Sequence, residues 1–186
     1  MVWCIPLPCK LIESSDSDSF RRIPKGYTAL PLAPHVGSFG HIRREHVHEG
    51  VDLYCNEGTP VYAVEDGKIV KRLPFTGPKV GSRWWLDTEA LLVEGESGVV
   101  VYGEILPFDF PEGTFVHAGD MLGTVVVVLA VDKGRPRSML HVELHAAGTR
   151  DVYDWVLRKG SFVEETRPPS LRDPTDFLRN AVPFAL

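Results

Sequence analysis

From Thr59 onward, apolar and polar residues alternate in short runs broken by glycine, proline and aspartate. Residues 60–64 and 68–72 flank Glu65-Asp66-Gly67, a spacing that predicts a β-hairpin with Asp-Gly at its turn. Residues 84–94 and 98–106 form a second apolar pair around Gly95-Glu96-Ser97-Gly98. A strand run over 121–131, a basic turn over 132–137 and a last strand over 138–146 follow. This spacing of short strands and turns predicts an antiparallel all-β sandwich or barrel. The period changes afterwards. Val152, Trp155 and Val156 stand at helical spacing, so the pattern predicts a helix over 151–159 stopped by Gly160. A second short helix is expected from Pro174, carrying Phe177 and Leu178.

The beginning of the chain shows no such order. Residues 10–40 are rich in Ser, Asp, Pro and Gly, with Ser and Asp alternating through 14–19. We expect an irregular N-terminal arm over 1–37 and one domain over 38–186, a reasonable size for 186 residues in all. The composition is 44% hydrophobic with a net charge of -5. No Lys/Arg cluster marks a nucleic-acid footprint, and no apolar run is long enough to span a membrane. The N-terminus lacks a basic start and is broken by prolines, so it does not read as an export signal. Cys4, Cys9 and Cys55 are odd in number and give no complete disulfide framework; simple thiols are expected, with Cys55 a buried one.

Two stretches carry candidate chemistry. His48-Glu49-Gly50-Val51-Asp52 puts an imidazole and a carboxylate four residues apart. If the chain turns between them, with Gly50 as the permissive residue, they can share one cation, and N and O donors suit zinc. The other reading is a plain polar loop. On a strand over 138–146, Met139, His141, Glu143 and His145 fall on one face, with neighbours roughly 6.5–7 Å apart. That face is either part of a site or an outward polar face opposite Leu140, Val142 and Leu144. His35, His41 and His117 read as surface residues and His46 as a neighbour of the site or solvent-facing; one of Trp84 and Trp85 is expected to pack inward, with lining of a groove the alternative for the other.

Taken together, the pieces resemble the lysostaphin-type zinc endopeptidases, which cut peptide cross-links in bacterial cell walls. His48-x-Gly50-x-Asp52, the run from Gly58 to Ala63 and Asp66-Gly67 follow that family's first motif. Phe39-Gly40 with Arg43, Tyr102-Gly103, Val116 to Gly123, Leu140-His141-Val142-Glu143 and Asp173-Pro174 with Phe177-Leu178 are similar to its later landmarks. The resemblance implies a mainly β fold, an antiparallel sandwich or barrel-sandwich hybrid with short C-terminal helices. It implies Zn2+ held by His48, Asp52 and His141, and a peptide or peptidoglycan-like substrate. It leaves the oligomeric state open, and its members act outside the cytoplasm.

This chain departs from the family at two positions. The histidines that assist catalysis there are replaced by Glu104 and Met139. A thioether neither takes nor gives a proton at neutral pH. Glu104 is the first candidate for a substitute base, with Glu143 and His145 as further catalytic candidates. Two functions follow as expectations: a divergent zinc peptidase, or a catalytically silent homologue that keeps zinc and acts as a binding module. A biotin- or lipoyl-carrier reading around Lys68 fails on the residues flanking it.

Overall fold

The computed structural model describes residues 2–43, 46–132, 134–159 and 163–183. The strands are β1 (Lys10–Ser14), β2 (Tyr27–Pro31), β3 (His46–Val47), β4 (Val51–Tyr54), β5 (Pro60–Tyr62), β6 (Gly67–Pro74) and β7 (Glu89–Gly95). They continue with β8 (Val99–Pro107), β9 (Phe115–Val116), β10 (Met121–Val125), β11 (Met139–His145), β12 (Trp155–Lys159), β13 (Val163–Thr166) and β14 (Leu171–Arg172). One helix, α1 (Thr175–Arg179), follows, carrying Phe177 and a buried Leu178. The fold is mainly β, and its nine-stranded main sheet is antiparallel throughout. No described helix is long and apolar enough to cross a membrane.

The main sheet runs β14-β11-β8-β7-β6-β9, with β4 alongside β11 and the β10–β5 pair alongside β8. The β7–β8 hairpin forms as its sequence pattern predicts, although its first strand begins at Glu89 rather than Trp84. The expected hairpin between 60–64 and 68–72 does not form. Both strands exist, but β5 pairs with β10 while β6 pairs with β7 and β9. The backbone of residues 62–64 is already committed elsewhere. Tyr62 N–H donates to Pro6, Ala63 N–H to Asp120 and Val64 N–H to the Tyr102 hydroxyl. With those donors engaged, the chain at Asp66-Gly67 runs on instead of folding back.

Three further expectations are corrected. The 151–159 stretch forms strand β12, not a helix, in a three-stranded sheet ordered β13-β12-β3. Three apolar positions fit either period in so short a run. Long-range pairing with β3 decides it, and Trp155 is buried against Phe39 with the Arg167 guanidinium over its ring. The strand expected over 121–131 ends at Val125, beyond which Val127 and Leu129 make single bridges to Ser138 and Trp85. Residues 10–40 are not irregular throughout, because β1 and β2 form a parallel pair. Trp3, Leu7 and Leu30 join Leu53, Leu91, Tyr102, Leu122 and Leu140 in one core cluster.

Candidate metal centre and cleft

Strand register does most of the assembly. Asp52 on β4 lies directly across from His141 on β11, and Gly103 on β8 lies across from His141 on its other side. His48 stands just before β4, where the turn at residues 48–50 brings its ring to 5.0 Å from that of His141. Gly50 does not supply a special backbone angle. A Cβ there would sit 2.5 Å from the Val142 carbonyl and 2.7 Å from His141 Nε2, so it is glycine because the His141 ring lies against it. Gly103 makes room for Phe75 in the same way, with its missing Cβ 2.4 Å from the Phe75 ring. Phe75 in turn stacks at 5.3 Å on His141.

His48 Nε2, Asp52 Oδ1 and His141 Nδ1 face one another at 3.0, 2.8 and 3.2 Å, and all three residues are buried. They form a donor set that could hold one metal ion. The outward ring atoms fix which lone pairs face inward. His48 Nδ1 donates to the Ser38 carbonyl at 2.9 Å, since a carbonyl can only accept, and this leaves Nε2 free for a cation. His141 Nε2 lies 3.0 Å from Glu143 Oε1 and donates to it, leaving Nδ1 toward Asp52. Arg43 binds the other Asp52 oxygen, Oδ2, at 3.0 Å. Two imidazole nitrogens and one carboxylate oxygen suit a borderline divalent ion. Tetrahedral zinc with bonds of about 2.0–2.1 Å separates its ligands by roughly 3.3 Å, a few tenths of an ångström beyond these spacings.

Burial works against an ionised Asp52, but its contacts with His48, His141 and the Arg43 guanidinium hold its carboxyl well below the usual range. Burial likewise opposes charge on His141. The hydrogen bonds and charges of Asp52 and Glu143 outweigh that and raise its pKa well above the ordinary histidine value. Desolvation lowers His48 against the pull of Asp52. A metal held here would take the place of a proton on His141 Nδ1, so its binding would release a proton.

The β11 face carrying Met139, His141, Glu143 and His145 is buried, as is the opposite face, so it is not an outward polar surface. Both Glu143 oxygens are occupied, one by His141 and one by His145 Nε2 at 2.7 Å. Burial would raise its pKa, but these hydrogen bonds bring it down to about 2. Glu104 is different. It sits in a bulge of β8 with φ of 64°, is 7% exposed, and its Oε2 has no hydrogen-bond partner among the described residues. Burial first, then the charge of Asp52, pushes its pKa up to about 8.

His48, His141, Glu143, Glu104 and Arg43 all line one cleft of about 720 Å³. Trp84, 79% exposed, and the half-buried Trp85 both border it, with Tyr153 and Asp154. His46 lies edge-on to Trp85 at 6.4 Å. Glu49 also faces the cleft; Trp155 N–H donates to it at 2.7 Å, and burial pushes its pKa up to about 7. His35 is buried rather than on the surface, and its Nδ1 accepts from Gly37 N–H. His117 is exposed and His41 half-exposed. Cys4, Cys9 and Cys55 are free thiols, each half-buried.

A mainly β chain whose buried His-Asp-His cluster presents both histidines to a cleft has a candidate metal site beside a space for a ligand. The chain belongs to peptidase family M23, whose model matches residues 46–152. Among solved structures it is similar to the catalytic domain of the antimicrobial peptidase lysostaphin from Staphylococcus simulans, at 20% identity and a TM-score of 0.45, covering 89% of this chain and 99% of that one. A zinc-containing peptidase from Vibrio cholerae aligns at 22% identity and a TM-score of 0.39, over 52% of this chain and 26% of that one. A structure assigned to peptidase M23 from Pseudomonas aeruginosa aligns at 19% identity and a TM-score of 0.41, over 72% and 44%. The chain thus spans less than half the length of these last two. Among curated proteins, none matches significantly.

Some participants leave little trace in the sequence. The Ser38 carbonyl and the Ser170 hydroxyl, which accept from His48 and bond His145, are ordinary loop residues by pattern. Arg43 falls in a recognisable motif, but its contact with Asp52 depends on the fold.

Proposed function

We propose that this protein is a zinc-dependent peptide hydrolase with an altered proton-transfer group, acting on a peptide cross-link of the peptidoglycan class. His48 Nε2, Asp52 Oδ1 and His141 Nδ1 would hold the ion. Zinc in a three-ligand protein site polarises a carbonyl and brings the pKa of bound water to about 7. The observation that carries the reading is Glu104: a buried carboxyl lining the same cleft, with one oxygen unengaged. Its pKa of about 8 is close to neutrality, where one carboxyl can both accept a proton from a nucleophile and return it to a leaving amine. Glu143 and His145 are the further candidates that the sequence offers after Glu104. Their hydrogen-bonding atoms are spent on each other and on neighbours, which supports assigning them to support rather than to proton transfer. Arg43 keeps Asp52 aligned, and Glu49 and Trp84 border the space left for substrate.

Met139 favours a second reading. It is buried where the family places a catalytic histidine and offers no exchangeable proton. In that reading the protein binds its peptide without cutting it. The two are separated by following hydrolysis of a Gly-rich or D-amino-acid cross-link peptide by zinc-loaded wild type and Glu104→Gln. The hydrolase reading expects a loss of about 10²–10⁴-fold in kcat on substitution. Equal background rates for the two proteins would leave only the binding role.

A further inference from the structure

Behind His141, on the side away from the cluster, the buried polar groups continue in a line. His141 Nε2 donates to Glu143 Oε1 at 3.0 Å, Glu143 Oε2 accepts from His145 Nε2 at 2.7 Å, and His145 Nδ1 lies 3.0 Å from Ser170 Oγ. Glu143 and His145 are 4% and 1% exposed, so water does not substitute for these partners. Three of the four residues come from alternate positions of β11, which places them on one face. The fourth comes from the turn before β14. That turn is fixed to β11 by backbone as well: Ala146 N–H donates to Ser170 O at 2.8 Å, and His145 and Leu144 pair with Leu171 and Arg172.

The line has one consistent direction. An ionised Glu143 can only accept, so His145 must present its N–H at Nε2. The other ring nitrogen of His145, Nδ1, lies within hydrogen-bond reach of the Ser170 hydroxyl, which can serve as its partner in either role. With its second oxygen pinned by His145, Glu143 has one orientation in which Oε1 meets His141 Nε2. His141 is thereby held in the tautomer and ring position that turn Nδ1 toward His48 and Asp52.

We infer that His145 and Ser170 are positioning residues for the metal: the turn before β14 sets, through Glu143, the orientation of the His141 ligand. This extends the zinc-site reading above and rests on it. Groups at this remove from a metal typically change its affinity by 10–100-fold when removed.

The test compares zinc affinity of the full-length wild type, His145→Phe, His145→Gln and Ser170→Ala by competition with a chromophoric chelator. Cobalt-substituted spectra report the ligand field of the site. His145→Phe is expected to bind zinc roughly 10–100-fold more weakly and to shift the cobalt visible band. The amide N–H of the His145→Gln side chain can still donate to Glu143, so that variant is expected to recover most of the affinity. A merely structural role would not produce that rescue. Ser170→Ala removes one surface-turn hydroxyl and serves if His145→Phe fails to fold; a smaller loss in the same direction is expected. Wild-type zinc affinity in folded His145→Phe, or in Ser170→Ala when His145→Phe is unfolded, would overturn the inference while leaving the zinc reading intact. A wild type that binds no zinc would overturn both.

Discussion

At the scale of single residues, Glu104 concentrates the tension of the site. Its positive φ is uncommon for a residue with a side chain, and an unpartnered buried carboxyl costs more when ionised. Its pKa rises from an ordinary 4.5 unfolded to about 8 folded, so the folded state holds its proton more tightly. The stability linked to that proton is complete below about 4.5 and is lost as pH rises through about 8. Glu104→Gln keeps the shape without the ionisation. Thermal melts of the metal-free proteins should show the variant gaining on wild type between pH 5 and pH 8; parallel curves would count against a buried Glu104. Gly50 gives a second residue-scale prediction. Gly50→Ala forces a methyl against Val142 O and the His141 ring, and is expected to destabilise by about 1–3 kcal/mol and weaken metal binding, measured by denaturant titration and chelator competition. His48, Asp52 and His141 were legible in the sequence because they sit in recognisable motifs. The role of Gly50 was not, since spacing reveals a glycine but not the ring pressed against it. His145 stands out in the sequence as a candidate, but its link to Ser170 does not, because that link crosses 25 residues and exists only once β14 docks on β11.

Among the elements, strands and helices with a clear local pattern follow it, whereas which strands pair across long separations does not show in the sequence. The β7–β8 hairpin, strand β11 and helix α1 follow their local patterns. The expected hairpin at Asp66-Gly67 failed because β5 finds β10, some 60 residues away, and the expected helix failed because β12 pairs with β3. Short segments have no intrinsic period strong enough to resist such pairing. The three-stranded sheet that results matters to the site. β3 precedes His48 directly, and Trp155 on β12 fixes β3 by pairing with Val47 and packing on Phe39. Its backbone N–H also holds Glu49. Trp155→Ala should therefore cost about 3–5 kcal/mol of stability and loosen zinc binding as well, as seen in denaturant melts and chelator competition. A stable variant with unchanged metal affinity would show that this sheet only decorates the cleft.

For the whole molecule, the question is what joins the pieces. The apolar core gathers side chains from Trp3 to Leu178, and the two ends meet where Val182 N–H donates to the Trp3 carbonyl and Ile5 N–H to Val182. The residues before β1 are therefore packed into the core at Trp3 and Leu7, a docking their proline-broken pattern does not announce. The His48–Asp52–His141 cluster ties a different set together: the loop carrying His48, strand β4 and strand β11, which are up to 93 residues apart. Around it, Asp52 and Glu143 carry charge inside the protein, and among the described residues His48, His141, His145 and Arg43 meet it. A divalent ion would neutralise much of that charge and cross-link those segments in the folded state alone. An ion at about 1,000 times its Kd adds about 4 kcal/mol to folding. Adding a strong chelator should lower Tm by several degrees, and restoring zinc should return it. In His141→Ala, which lacks one donor, the chelator should move Tm far less, because little bound metal remains to be removed. A chelator shift of equal size in both proteins would mean that the stabilising ion sits elsewhere.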